Sequence, residues 1–195
     1  MNIGVYIYNQ AEVLDFSGPF EVFTTASRIC KTDNPFTTFL ISQNGEVVKA
    51  RGGYNIIPAY GFKNVPGIDV LIVVGGVHTE EIKKTSVIEW IKQKSDNAKI
   101  IASVCTGVFL LAKAGVVTNH SVTTHWEDIS DLQTAFPNLK VINSKRWVEE
   151  KNIITSAGIS AGIDMSLYLV SILKSQKLAE KTAKQMEYNW VKSYL

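Results

Sequence analysis

The segment DVLIVVGG, residues 69–76, sets five aliphatic residues in a row and closes them with two glycines. A strand with one wet face alternates apolar and polar residues. A run that is apolar at every position is buried on both faces, which calls for helices above and below a largely parallel sheet. The neighbouring segments supply those layers. NIGVYIY, rich in β-branched and aromatic residues, reads as the first strand, and AEVLDFSGPFEVFTTASRI then changes to helical spacing, with Pro19 suited to a first turn. FTTFLIS and a short pair around GEVVKA and NIIPAY follow as strands. Ser86 and Glu89 make a capping-box pattern ahead of the helical VIEWIKQK, and KIIASV is the next central strand. SVTTHWEDISDLQTAF predicts a strand turning into a helix, RWVEEKNIITSA a hairpin, and AGIDMSLYLVSILK a buried helix. Leu178, Ala179, Ala183, Met186 and Trp190 mark one face of a last amphipathic helix running to Leu195. The expectation is an α/β three-layer sandwich with a mostly parallel central sheet.

Size and composition fit one domain spanning residues 1–195: hydrophobic residues make up 46% of the chain and charged residues 19%, enough for a full core. The apolar run SLYLVSIL is far too short to cross a bilayer, and Met1 leads straight into a strand without signal-peptide regions. A cytoplasmic location without a membrane partner is expected. A formal charge of +2 with no basic stripe argues against nucleic acid. Cys30 and Cys105 are expected to be free thiols, Cys30 as a small buried hydrophobe. His78 and His120 read as loop residues and His125 stands apart, so no metal-ligand cluster forms. No phosphate loop or dinucleotide fingerprint is present, and no metal or cofactor is expected.

In open parallel sheets, ligands sit beyond the carboxyl ends of the strands, and three features fall there: Asp15, the Gly75–Gly76 pair and Cys105. KIIASVCTGVFLLAKAG passes from strand to helix through a single cysteine, the pattern of a nucleophile elbow, with Gly107 permitting close packing after the turn. A thiol at a helix N-terminus has its thiolate favoured by the dipole. The N–H groups of Thr106, Gly75 and Gly76 form a candidate hole for developing negative charge. A close thiol and carboxyl cannot cheaply both ionise, so Asp15 and Cys105 should titrate as a coupled pair.

LDFSGPFEVF, VLIVVGG, SVCTGVFLLAKAGVV followed by TTHW, and ITSAGISAGIDMSLYLV together resemble the ThiJ/PfpI superfamily, relatives of the class I glutamine amidotransferases, from the first strand to about residue 172. The resemblance implies a flavodoxin-like fold, a small-molecule substrate and a homodimer, with the first helix a candidate contact. Aspartate at position 15, threonine directly after the cysteine and TTHW look most like the isonitrile hydratase branch, whose pattern maps to Asp15, Cys105 and Thr106 as catalytic residues. In that chemistry a Cys105 thiolate attacks the terminal carbon of the isonitrile, protonated Asp15 donates to it, and water releases an N-substituted formamide from the thioimidate. PfpI-type proteases place histidine where Thr106 stands, and glutamine amidotransferases use a late His-x-Glu that is missing after His125, so neither activity is expected. The glyoxalase and deglycase branch shares a histidine at the position of His125 and is the rival enzyme reading. A non-catalytic reading, as ligand binder or redox sensor, stands beside them. Related regulator domains are joined to a helix-turn-helix reader, for which the chain after the last helix offers no room.

Overall fold

The computed structural model describes residues 1–192. Among the described residues there are ten strands and six α-helices, with α-helices following the strands of one main sheet. That sheet contains β1 (Asn2–Tyr6), β2 (Thr37–Ile41), β5 (Val70–Val73), β6 (Ile100–Val104), β9 (Trp147–Glu150) and β10 (Ile153–Ser156), in the order β2-β1-β5-β6-β10-β9. All neighbours are parallel except β9, which pairs antiparallel with β10 as the edge hairpin. The two-residue strands β3 (Val48–Lys49) and β4 (Asn55–Ile56) pair with each other, as do β7 (Ser121–Val122) and β8 (Lys140–Val141). The fold is the α/β class expected, with every residue of β5 fully buried, as its unbroken apolar run requires.

The helices α1 (Val13–Ile29), α5 (Ala161–Leu173) and α6 (Gln176–Gln185) pack on one another in one layer, while α2 (Thr85–Ser95) packs on α3 (Gly107–Lys113) in the other. The short α4 (Ile129–Ala135) sits beside β8. Gly18 allows α1 to lie directly on α5, since a Cβ there would come within 2.9 Å of the Ile163 side chain.

Four local expectations change. Pro19 lies inside α1, because the helix begins at Val13 and not near the proline. The Ser86 capping box does not form: α2 starts at Thr85 without a side-chain cap, and the Ser86 hydroxyl instead meets the Gln43 amide at 2.9 Å. The last helix stops at Gln185, and Glu187 turns the chain with φ 50°. Met186 and Trp190 therefore pack on the core from an irregular segment, and Leu195, the expected helix end, lies outside the described residues. Cys30 is half-buried at the end of α1, its sulfur 3.2 Å from the Asp33 carboxylate, so it is not the buried hydrophobe expected.

Candidate active site

The site is assembled at the carboxyl ends of β1, β5 and β6. β6 ends at Val104 and α3 begins at Gly107, so Cys105 makes the turn, with φ 57°. A non-glycine residue in the left-handed region is strained, and this one is held by hydrogen bonds on both sides. The Cys105 N–H donates to Ser156 O and Ala157 O at 3.2 and 3.3 Å, and the Thr124 hydroxyl donates to Cys105 O at 2.9 Å. Gly107 gives the elbow its tight exit, because a Cβ there would lie 2.1 Å from Val73 O.

The β1–α1 loop is stitched to the end of β5 by Glu12 N–H to Gly75 O at 3.0 Å and Val77 N–H to Gln10 O at 3.1 Å. This brings Asp15, in the first turn of α1, beneath Cys105. One oxygen of Asp15, Oδ2, accepts the Gly75 N–H at 3.1 Å, and the buried carboxyl also lies against the Cys105 thiol and the Ile159 N–H. Gly75 itself has no room for a side chain: a Cβ would meet Thr106 N at 2.5 Å and Cys105 Cβ at 2.7 Å. The Thr106 hydroxyl accepts Gly76 N–H and donates to Gly76 O, both at 3.0 Å. The amides of Gly75 and Gly76 are thus engaged in building the site. Of the three N–H groups expected to form an anion hole, only that of Thr106 faces the Cys105 sulfur.

Burial dominates the electrostatics. Asp15 is wholly buried, and its carboxyl is pushed up to about 7 by desolvation and by Glu12, against the lowering pull of the Gly75 N–H. Burial also pushes the Cys105 thiol well up, and the nearby Asp15 adds to the shift. Asp15 pushes the thiol up, whereas the thiol, by its hydrogen bond, pulls the Asp15 carboxyl down. The thiolate preference expected from the helix dipole is reversed, because a cysteine only 7% exposed loses more hydration than the first turn of a seven-residue helix returns.

Cys105 and Thr106 open onto a cleft of about 190 Å³, also lined by Gly76, His125, Asp128 and Ile159, with the Glu12–Arg51 ion pair at 3.1 Å on its wall. Asp15 and Gly75 lie under the floor rather than in the wall. His125 directs Nδ1 to the Asp128 carboxylate at 3.3 Å, and its ring fills the space over Gly158, where a Cβ would come within 2.1 Å of it. Ile159 has φ 53°, a second strained residue on the same rim. Sequence reasoning did not single out Thr124, visible only as part of TTHW, Asp128, which reads as one more acidic residue of a helical stretch, or Ile159, whose backbone strain carries no signal a sequence could show.

A cysteine on a strained strand-to-helix elbow over a buried carboxyl, at the carboxyl ends of a parallel sheet, places the chain among α/β proteins built around such an elbow. The DJ-1/PfpI family model matches residues 1–172, and the chain belongs to that family. It is similar to the isonitrile hydratase of Pseudomonas putida, with 30% identity over 190 residues, covering 96% of this chain and 78% of that protein. It is also similar to the HTH-type transcriptional regulator GbdR of Pseudomonas aeruginosa, 28% identical across 78% of this chain but spanning only 41% of the regulator. Among solved structures, a THiJ/PfpI family protein from Pseudomonas syringae superposes with a TM-score of 0.86 at 26% identity, covering 99% of this chain and 77% of that one. Drosophila melanogaster DJ-1beta, at 21% identity and a TM-score of 0.83 over 97% of this chain and 98% of that one, shares the fold. The family therefore includes an enzyme as well as regulators. No helix among the described residues is long and apolar enough to cross a membrane, and no group of three His, Cys, Asp or Glu side chains among them is placed to hold a metal ion.

Proposed function

We propose that the chain is a cysteine-dependent hydro-lyase that adds water to an isonitrile and releases an N-substituted formamide, with Cys105 as nucleophile, Asp15 as proton carrier and Thr106 as the residue that orients them. The observation that carries this reading is the pairing of a cysteine on a strained elbow with a wholly buried carboxyl set against its thiol. The terminal carbon of an isonitrile must gain a nucleophile and a proton at one atom, and a thiol and a carboxyl supply both.

Burial keeps the proton on sulfur, so the resting nucleophile is the thiol. Asp15, poised at about 7, takes that proton as sulfur bonds to the terminal carbon and delivers it to the same carbon, giving R–N=CH–S–Cys105. The carboxylate next takes a proton from the water that adds to this carbon and passes it to nitrogen. The C–S bond then breaks, the hydroxyl proton moves to sulfur, and R–NH–CHO leaves with no net proton exchanged. Charge developing at sulfur faces the Thr106 N–H, while Gly75 and Gly76 hold the acid and the threonine in place. His125 serves as a wall of the substrate cleft.

The same reading takes a free small molecule as substrate in the cytoplasm, without cofactor, nucleic acid or membrane. It pairs two copies across the face of α1 where Leu14 is left 37% exposed, which sedimentation of the purified chain tests. One observation favours a second chemistry: His125 shares the cleft with Cys105 and is braced by Asp128, as a glyoxalase-type base would be. The redox-sensor reading is disfavoured by a thiol held protonated. Incubation with an alkyl isocyanide and, separately, with methylglyoxal decides among them. Formamide alone supports the hydratase, lactate alone the glyoxalase, and neither product would overturn both in favour of a binding role.

A further inference from the structure

The charges lining the cleft do not balance. Glu12, Arg51, Glu127 and Asp128 stand in its wall with the His125 ring, and among the described residues of that lining Arg51 is the single permanent cation. Arg51 and Glu12 answer each other at 3.1 Å. Glu127 and Asp128, in the turn that follows His125, place their carboxylates 3.8 and 3.3 Å from its Nδ1. One imidazole, charged or neutral, offsets at most one of the two. Three carboxylates against one guanidinium leave the lining with a formal charge of −2 when His125 is neutral and −1 when it is protonated. The Glu127 and Asp128 side chains keep 64% and 29% of their surface exposed, so both are within reach of a charged ligand.

A cleft lined by one sign of charge concentrates ligands of the other sign. A ligand bearing a carboxylate would meet two acids of its own sign, and an aliphatic one would strip their water without replacing its hydrogen bonds. Ile159 is the one aliphatic side chain among the described residues of the lining, which offers little to a hydrocarbon substituent. The same turn leaves Trp126 73% exposed, its ring 5.8 Å from that of His125, and an aromatic face of this kind receives ammonium groups. We propose that the cleft selects small cations, and that the substrate of the Cys105 site is an isonitrile whose substituent bears an ammonium group held by Glu127 and Asp128. The isonitrile in this statement rests on the proposed function, whereas the selection of cations rests on the cleft alone.

The test is an NMR titration of the isotope-labelled chain at low salt and pH 8, read at the Gly76 and Thr106 amides and the His125 ring. Trimethylammonioacetonitrile and tert-butylacetonitrile share one shape and differ by one charge, and cyanoacetate carries the opposite sign. All three present a linear triple bond without the reactive terminal carbon of an isonitrile. The cationic nitrile is expected to bind at least about threefold more tightly than its neutral isostere, the scale of accessible ion pairs, and cyanoacetate more weakly than either. Glu127→Gln combined with Asp128→Asn is expected to erase that preference. Glu127→Gln alone, at an exposed side chain, is expected to reduce it, and decides the matter if the double variant does not fold. A preference below about threefold, a preference for cyanoacetate, binding of none of the three, or a ratio unmoved by these substitutions would overturn the inference. No turnover enters this measurement. Cation selection without formamide production sinks the hydratase reading alone, and formamide production with equal affinities sinks this inference alone.

Discussion

The carboxyl of Asp15 makes the fold and the chemistry pull against each other. Its pKa lies at about 7 in the folded chain against about 3.9 in an unfolded one, so folding favours the protonated form. That contribution is complete below the unfolded value and is lost as the pH rises through about 7. Asp15→Asn stays neutral at every pH and keeps an acceptor for the Gly75 N–H. Thermal melts at pH 8 should show it more stable than the original chain, on the order of 1–3 kcal/mol, with the gain shrinking at pH 5. Formamide production should fall by at least about 100-fold, the scale of losing general acid–base catalysis. A variant no more stable than the original at pH 8 would refute the buried-acid account. At Thr106, valine would keep the volume but strand the N–H and C=O of Gly76, whereas serine would keep both bonds. Turnover by Thr106→Val is expected to drop about 10- to 100-fold and Thr106→Ser to stay within about fivefold, in line with about 1–3 kcal/mol for an unsatisfied polar group. At this scale Cys105, Thr106 and Asp15 were legible because a single cysteine between strand and helix leaves few alternatives. Asp128 was not, since an acidic residue in a helical stretch is most often solvated. The sulfur's protonation was misjudged because dipole direction is readable in a sequence and depth of burial is not.

Elements legible in the chain were those whose pattern is enforced by burial on both faces. β5 and β6 are apolar at almost every position, so tertiary packing and local propensity agree there. The failures fell where a local signal competed with packing. Pro19 suggested a helix start, but the β1–α1 loop is bound to the end of β5, and α1 begins at Val13, as soon as that binding ends. Ser86 had the capping grammar, yet its hydroxyl found Gln43, forty-three residues away in sequence, a partner no local pattern reveals. The two-residue strands β7 and β8 are too short to carry periodicity. The elbow itself is an element-level construction, and Gly107 sets its tolerance. Alanine there would drive a methyl group to 2.1 Å from Val73 O, backbone of a central strand that cannot move aside. Gly107→Ala should cost about 2–4 kcal/mol in denaturant unfolding, as overpacking does, or shift the elbow enough to lose turnover. A fully stable, fully active variant would mean that α3 does not approach β5 as described.

Across the whole molecule, one buried acid ties the irregular C-terminal segment to the edge of the sheet and to the cleft. Asp164, in the first turn of α5, is fully buried and binds the Arg146 guanidinium just before β9. It also accepts the Tyr188 hydroxyl at 3.1 Å and the Val191 N–H at 2.9 Å, while its own backbone oxygen accepts the Trp190 indole at 3.2 Å. Arg146 also reaches Ser160 at 3.2 Å, next to the strained Ile159 on the cleft rim, so the same charge pair fixes the segment after α6 and one wall of the site. Desolvation nevertheless leaves the Asp164 carboxyl above its usual range, with Arg146 among the groups pulling it down. Removing the arginine therefore strands a charge that folding already disfavours. Arg146→Leu is expected to destabilise the chain by about 2–3 kcal/mol at pH 8, less than breaking a fully buried pair because the arginine is 34% exposed. Without its counter-charge Asp164 should hold its proton to still higher pH. Because a raised carboxyl stabilises below its unfolded pKa and loses that contribution as the pH rises, the deficit should be smaller at pH 5 than at pH 8. Melting curves of the variant and the original at the two pH values measure this directly. A deficit that stays constant with pH would show that Arg146 acts by packing its stem and not by holding the charge of Asp164.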